Sequence, residues 1–252
     1  MINLDGKTVL VTGAAGGIGI ATGRKILETG GNVVLHYHSA AREIPDLITE
    51  YGEERAMSVC ADLSKTADID RLFEEACTLT GKLDAIVNNA AVIQDVTVED
   101  DIDTWRKHWK YMMDVNVQAM ADLCYHGIHH FRKHGGGAFV NIASRAGFRG
   151  DQPDSMHYAA SKGGVVALTR SLAKGFAREN ILAYTVAPGW VMTERVRPTL
   201  EKPENAFMIN EIPMGAPAPA EELGNLIAFI LSGSVTHATG ATFDVNGASY
   251  FH

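Results

Sequence analysis

The sequence predicts an α/β fold: one open, parallel, doubly wound sheet of seven strands with helices on both faces. Two observations carry this. Short β-branched runs alternate with amphipathic segments over almost the whole chain, the pattern of strands joined by crossover helices. Several of the runs are apolar at consecutive positions, which suits strands covered on both faces.

The strands are expected at 7–12 (KTVLVT), 32–37 (NVVLHY), 55–60 (RAMSVC), 83–88 (LDAIVN), 137–143 (GAFVNIA), 181–187 (ILAYTVA) and 241–245 (ATFDV). Helical periodicity falls at 17–30, 45–52, 66–80, 102–134 (read as two helices), 156–180 and 219–232. Gly30-Gly31, Gly52, Gly81 and Gly135-Gly136-Gly137 stand where helices should stop. Glu99, Asp100, Asp101 and Asp103 read as an acidic helix start that favours the dipole. There is no linker, repeat or low-complexity stretch, so residues 1–252 are expected to form a single domain. Segment 190–218 breaks the rhythm with Pro198, Pro203, Pro213 and Pro217, and a loop of this length is expected to act as a substrate lid.

Bulk properties narrow the function. The chain has 252 residues, 46% hydrophobic and 21% charged, with a net charge of −8. That balance argues against a nucleic-acid partner, whose affinity rests on Lys and Arg against phosphates. Cys60, Cys77 and Cys124 show no CxxC spacing and are expected as buried free thiols. No apolar run reaches the ~20 residues of a spanning helix and the N-terminus lacks a signal pattern, so a cytoplasmic protein away from membranes is expected.

"TGAAGGIG" (Thr12 to Gly19) follows the first strand and opens a helix. Gly13, Gly17 and Gly19 allow a tight turn and close approach of a pyrophosphate to N–H groups at a helix N-terminus. This predicts a Rossmann fold with a dinucleotide site. In "YAASK", Tyr158 and Lys162 stand at i and i+4 and share a helix face. A Lys cation lowers the cost of tyrosinate, so such a Tyr can exchange a proton with an alcohol oxygen; the plainer reading is a surface neighbour pair. Ser144 ends the strand "GAFVNIAS", where ligands bind in parallel sheets, although a capping serine fits as well. Asn116, in "DVNVQ", sits inside a helical stretch that it does not favour.

Together these residues resemble the short-chain dehydrogenase/reductase family, whose turn reads TGxxxGxG. The resemblance covers residues 5–248 and extends to "NNAA" (Asn88 to Ala91, with Ala91 in place of the usual Gly), "DL" (Asp62-Leu63) and "PGWVMT" (Pro188 to Thr193). It implies a catalytic tetrad of Asn116, Ser144, Tyr158 and Lys162. Tyr158 would be the general acid/base and Ser144 would orient the substrate oxygen. Lys162 would bind the nicotinamide ribose and lower the Tyr pKa, and Asn116 would hold a water linking Lys162 to solvent. The implied dinucleotide site is Gly13, Gly17, Ile18, Gly19, Tyr37, His38, Ser39, Asp62, Leu63, Asn89, Ala90, Pro188, Gly189, Val191 and Thr193, with Tyr158 and Lys162. The implied reaction is hydride transfer between nicotinamide C4 and a carbonyl or secondary-alcohol carbon, as in 3-oxoacyl carrier-protein reductase-like and glucose dehydrogenase-like members.

For the substrate, Ser144, Tyr158, Trp190, Arg145 and Arg149 are the expected contacts, the arginines as receptors for a carboxylate or phosphate or as plain solvent-facing charges. "HYHSAAR" is similar to pteridine reductases, but Ser144 stands where that subgroup has Asp. A non-catalytic dinucleotide-sensing protein is the rival of a different class. Strand 2 ends in His36, Tyr37 and His38 without the carboxylate that grips a ribose 2′-OH. With His38, Ser39 and Arg42 as donors, NADP is the expected cofactor and NAD the alternative, Gly16 counting against NADP because many NADP-using relatives carry a basic residue there. The histidines at 126, 129, 130 and 134 read as a helix face and not as a metal site, and Trp105 and Trp109 as packing. Family members are commonly homotetramers built through helices 115–134 and 156–180 and the final strand.

Overall fold

The computed structural model describes residues 2–252. In chain order the first half runs β1 (Thr8–Val11), α1 (Gly17–Glu28), β2 (Asn32–Tyr37), α2 (Ile44–Tyr51), β3 (Ala56–Cys60), α3 (Thr66–Ala76), β4 (Ala85–Asn88), α4 (Ile102–Met113) and α5 (Ala119–His134). The second half runs β5 (Gly137–Ile142), α6 (Ala146–Arg149), α7 (Met156–Phe176), β6 (Ile181–Pro188), β7 (Val191–Met192), α8 (Arg197–Leu200), α9 (Ala206–Asn210), β8 (Ala218–Pro219), α10 (Ala220–Leu231) and β9 (Thr242–Val245). Seven strands form one parallel sheet in the order β3-β2-β1-β4-β5-β6-β9.

Alternation along the strands splits the core into two layers. Val9, Val11, Val33 and Leu35 pack under α1, α2 and α10. Their neighbours Leu10 and Val34 pack under α3, α5 and α7. A strand side-chain period of two makes this division obligatory once the helices flank both faces. Each fully buried aliphatic side chain stabilises the layer by roughly 1.5–3 kcal/mol.

A polar seam crosses the second layer. Asn88 Nδ2 donates to Asn141 Oδ1 at 2.8 Å, Asn141 Nδ2 donates to Thr169 Oγ1 at 2.9 Å, and Thr169 Oγ1 donates to the Val165 carbonyl at 2.7 Å. It ties β4, β5 and α7 together in one alignment.

The long periodic stretch 102–134 is two helices, and the joint is a π-helical turn at Asp114–Gln118 that carries Asn116. Such turns insert a residue into a helix and re-aim one side chain. Asp101 caps α4 by accepting from the N–H groups of Asp103 and Thr104. The expected lid is more structured than its prolines suggest: β7 pairs with β8, and α8 and α9 lie between them. Cys60 is exposed and Cys77 half-buried, so only Cys124 matches the expected burial. Among the described residues, no helix is long and apolar enough to cross a membrane.

Candidate active site

The chain leaves β1 outward to β2 and β3, then returns to β4 on the other side of β1. Where strand order reverses in this way, a crevice opens at the carboxyl ends. A cavity of about 770 Å3 fills it, lined by residues from the glycine turn through Tyr158 and Lys162 to Thr193.

The glycine turn is held under the end of β4. Thr12 Oγ1 accepts from the N–H groups of Asn89 and Ala90, both at 3.0 Å, and Asn89 Nδ2 donates to the Thr12 and Gly13 carbonyls at 2.9 and 3.0 Å. A Cβ on Gly13 would lie 2.8 Å from Ala90 Cα, and one on Gly19 would lie 2.3 Å from the Gly13 oxygen. Side chains are excluded here by backbone, not by flexible neighbours. The N–H groups of residues 15–18 have no acceptor among the described residues, and Gly16 and Ile18 face the cavity. Free N–H groups at the positive end of the 12-residue α1 suit a diphosphate. The residues present therefore fit a dinucleotide.

The end of β2 differs from expectation. Tyr37 shares its strand face with Leu35 and packs against the α1–α2 layer; it is not among the described residues that line the cavity. His36, not singled out from the sequence, does line it, and strand parity alone would have separated the two. His36 is 2% exposed; its Nδ1 accepts from Gly13 N–H at 3.0 Å, and its Nε2 lies 3.1 Å from the Ala61 carbonyl. Those two bonds assign the proton to Nε2. Burial pushes its pKa down to about 4.

His38 lines the cavity with its Nε2 3.9 Å from Asp62 Oδ1. Ser39 is exposed and lies outside the cavity lining. Asp62 and Leu63 line it as expected; the Ser64 hydroxyl donates to Asp62 Oδ1 at 2.7 Å, and this bond first, helped by Ser64 N–H and Lys65, outweighs burial and holds the carboxyl at about 2. On the far rim, Pro188, Gly189, Trp190, Val191 and Thr193 line the cavity, and Gly17 stands behind it against Thr193.

Three of the four side chains expected as a tetrad meet in this cavity: Ser144 beyond β5, and Tyr158 and Lys162 one turn apart on α7. Lys162 is 2% exposed; its Nζ donates to the Ile142 carbonyl at 2.8 Å and lies 5.8 Å from the Tyr158 ring centroid. Burial pushes Lys162 down to about 8. Burial also pushes the Tyr158 phenol up to about 12, although the neighbouring Ser144 hydroxyl and the Arg195 charge pull the other way. The expected lowering of the Tyr158 pKa is therefore reversed in the protein alone, because desolvation of the phenolate dominates. Asn116 is fully buried and engaged elsewhere: Oδ1 accepts from Val92 N–H at 2.8 Å, and Nδ2 donates to the Val92 carbonyl at 3.0 Å and faces Ser161 Oγ at 3.2 Å. It joins the segment after β4 to α7.

Arg145, Arg149 and Trp190 line the substrate half. Both guanidiniums, however, are engaged by Glu211, Arg145 directly and Arg149 at 3.3 Å, so neither is a free receptor. Asp95, Asp151, Asp154 and Arg195 also line the cavity. They come from loops with no periodicity, and nothing in the sequence pattern marks them. Of the α5 histidines, His126 pairs with Asp70 at 2.8 Å and His130 accepts from Leu83 N–H at 2.9 Å, each serving α5 packing. The Trp105 and Trp109 rings lie 5.7 Å apart, and Trp109 continues to His157.

A family model described as enoyl-(acyl carrier protein) reductase matches residues 13–248. The chain belongs to the short-chain dehydrogenase/reductase family. This short-chain dehydrogenase/reductase is similar to the 3-oxoacyl-[acyl-carrier-protein] reductase FabG of Aquifex aeolicus, 30% identical over 99% of both chains. It is also similar to glucose 1-dehydrogenase 2 of Bacillus subtilis, 32% identical over 97% of this chain and 95% of the relative. The FabG reductase of Vibrio harveyi is 28% identical over 99% of both chains. As a member of this family, the short-chain dehydrogenase/reductase described here is an oxidoreductase.

Proposed function

We propose that this oxidoreductase moves a hydride between a nicotinamide dinucleotide and the carbonyl or secondary-alcohol carbon of a small molecule, with Tyr158 as general acid/base. The observation that carries the proposal is convergence: Ser144, Tyr158 and Lys162 share one cavity with the glycine turn. The dinucleotide, when bound, supplies or takes up the hydride.

The chain's own groups handle the proton. With its pKa near 12 the Tyr158 phenol is protonated at neutral pH, ready to donate from Oη to a developing alkoxide. Lys162, titrating near 8, is a cation at pH 7 and stabilises the tyrosinate that donation leaves. Ser144 orients the substrate oxygen beside the phenol. Asn116 acts one layer back by fixing Val92 against α7. Retention of Tyr158 and Lys162 in the cavity speaks against a sensor without turnover.

NADP is the proposed dinucleotide. β2 ends at Tyr37 without a carboxylate, and Arg42 Nη1 lies 3.9 Å from where a Gly16 Cβ would stand. Arg42 thus supplies from the next loop the cation that Gly16 lacks. Its pairing with Glu194 at 3.7 Å is between exposed groups and is weak. A second reading, reduction of a 3-oxoacyl group, takes its support from the relatives of that name and would use the same residues. A homotetramer is proposed through α5, α7 and β9; β9 is the sheet's edge strand, and a monomer in sedimentation would refute it.

The test is Tyr158→Phe assayed with NADPH and a simple diketone. Turnover should drop by more than tenfold while dinucleotide affinity is kept. A variant that retains more than about a tenth of the wild-type kcat removes the assignment.

A further inference from the structure

The two arginines beside Ser144 invite an anionic substrate, but their surroundings point the other way. Arg145 is 4% exposed and already committed: Nη1 donates to Ser249 Oγ at 2.5 Å and Nη2 to Glu211 Oε1. Arg149 Nη1 reaches the other Glu211 oxygen at 3.3 Å. Both arginines line the cavity, whereas Glu211 is not among the described residues that do. The carboxylate therefore grips the pair from behind the wall. The Ser249 hydroxyl is fixed in turn by donating to the Asn246 carbonyl at 2.7 Å, so Arg145 has no slack to turn toward a ligand.

The rest of the wall does not restore a positive field. Arg195 is offset by Asp95, Asp151 and Asp154 on the same lining, and Glu211 adds a further negative charge behind the pair. An anion entering this half would shed its water and find Arg145 and Arg149 already on Glu211 and Arg195 facing three aspartates, a costly exchange. An uncharged oxygen meets no such cost, and hydroxyl groups can donate to the three aspartates.

We infer that Glu211 is a specificity-determining residue that closes Arg145 and Arg149 to anions, so that the substrates are uncharged carbonyl and hydroxyl compounds and not carboxylates or phosphates. This deepens the proposed function and rests on it for the identity of the substrate; the charge selectivity of the substrate half is testable without turnover.

The experiment pairs binding with turnover on the full chain. Calorimetric titration with malonate should show affinity rising about tenfold in Glu211→Gln, the scale of one freed charge-assisted contact, while Glu211→Asp keeps the wild-type value. With NADPH, the ratio of kcat/KM for acetoacetate to that for ethyl acetoacetate should rise by about the same factor in Glu211→Gln. Equal malonate affinity in wild type and Glu211→Gln overturns the inference. A second variant guards against a folding defect at 211: Arg149→Gln in the wild-type background should change malonate affinity less than twofold, because Arg149 already shares the Glu211 carboxylate. A tenfold loss there shows that the arginines bind anions in the wild type and also overturns it. If neither ester nor acid is reduced by the wild type, the proposed reduction of small carbonyl compounds fails for this pair while the malonate titrations still decide the charge selectivity.

Discussion

The Nδ1 of His36 stands 3.0 Å from the amide nitrogen of Gly13 and accepts its hydrogen, while Nε2 faces the Ala61 carbonyl. The bond can exist only while the ring is neutral. His36 titrates near 4 in the folded chain and near 6.5 when unfolded, so the unfolded state binds the extra proton between those values. Stability is fully present above about pH 6.5 and falls by about 3 kcal/mol as the pH drops toward 4. Urea denaturation of wild type and His36→Gln across that window checks it. Curves with the same pH dependence would show that His36 is not the buried neutral group.

Lys162 gives the opposite end of the pH scale. Its folded value near 8 lies below the ordinary 10.5, so the folded chain disfavours the cation. The stability penalty is fully present below pH 8 and is relieved as the pH rises toward 10.5. Relative to Lys162→Met, wild type should gain about 2 kcal/mol between pH 8 and 9.5. A constant difference between the two proteins would contradict the burial of a titrating ammonium.

Gly147 touches the backbone that presents Lys162: a Cβ there would lie 2.7 Å from the Lys162 carbonyl carbon and 2.8 Å from its oxygen. Backbone atoms in the middle of α7 cannot step aside, so Gly147→Ala should part α6 from α7. The expected cost is about 1–3 kcal/mol of stability, with kcat falling more than tenfold and dinucleotide affinity nearly kept. A kcat within twofold of wild type would mean that the Ser144 loop moves independently of α7.

Arg42 is the proposed donor to a 2′-phosphate. Arg42→Ala should lower kcat/KM for NADPH about tenfold, one charge-assisted contact, and leave NADH within twofold. Equal losses with both would assign Arg42 to loop structure alone.

Much of this was legible beforehand, for reasons that differ by residue. The strands announced themselves because β-branched runs buried on two faces leave no polar alternation to confuse them; β2 is found at Asn32–Tyr37, as expected, and α10 within a residue of its predicted ends. Gly13 and Gly19 were legible because only glycine fits where backbone crosses backbone. Tyr158 and Lys162 were legible because helical spacing is itself a geometry. Tyr37 and His36 changed roles because the decision rests on strand parity, which flips with a single residue. The commitment of Arg145 to Glu211 and Ser249 could not be read at all: the partners lie in a proline-broken segment and in the tail, joined only by the fold. The rise of the Tyr158 pKa was missed for a related reason, since a sequence shows the neighbouring cation but not the depth of burial.

The polar seam from Asn88 through Asn141 to Thr169 sets a condition on how this protein can drift. Each side chain partners the next in a buried position, with Cys124 Sγ a longer second acceptor for Asn88 at 3.6 Å, so replacing one strips its neighbour of its short hydrogen bond. The tolerated route is a concerted exchange of all three for apolar groups of similar size, with each single step being the unfavourable intermediate. Chimeras that swap the β4–β5 half against the α7 half should therefore be viable only when the donor carries the same trio, which makes these three positions a compatibility key between the dinucleotide-holding and proton-handling parts of the chain.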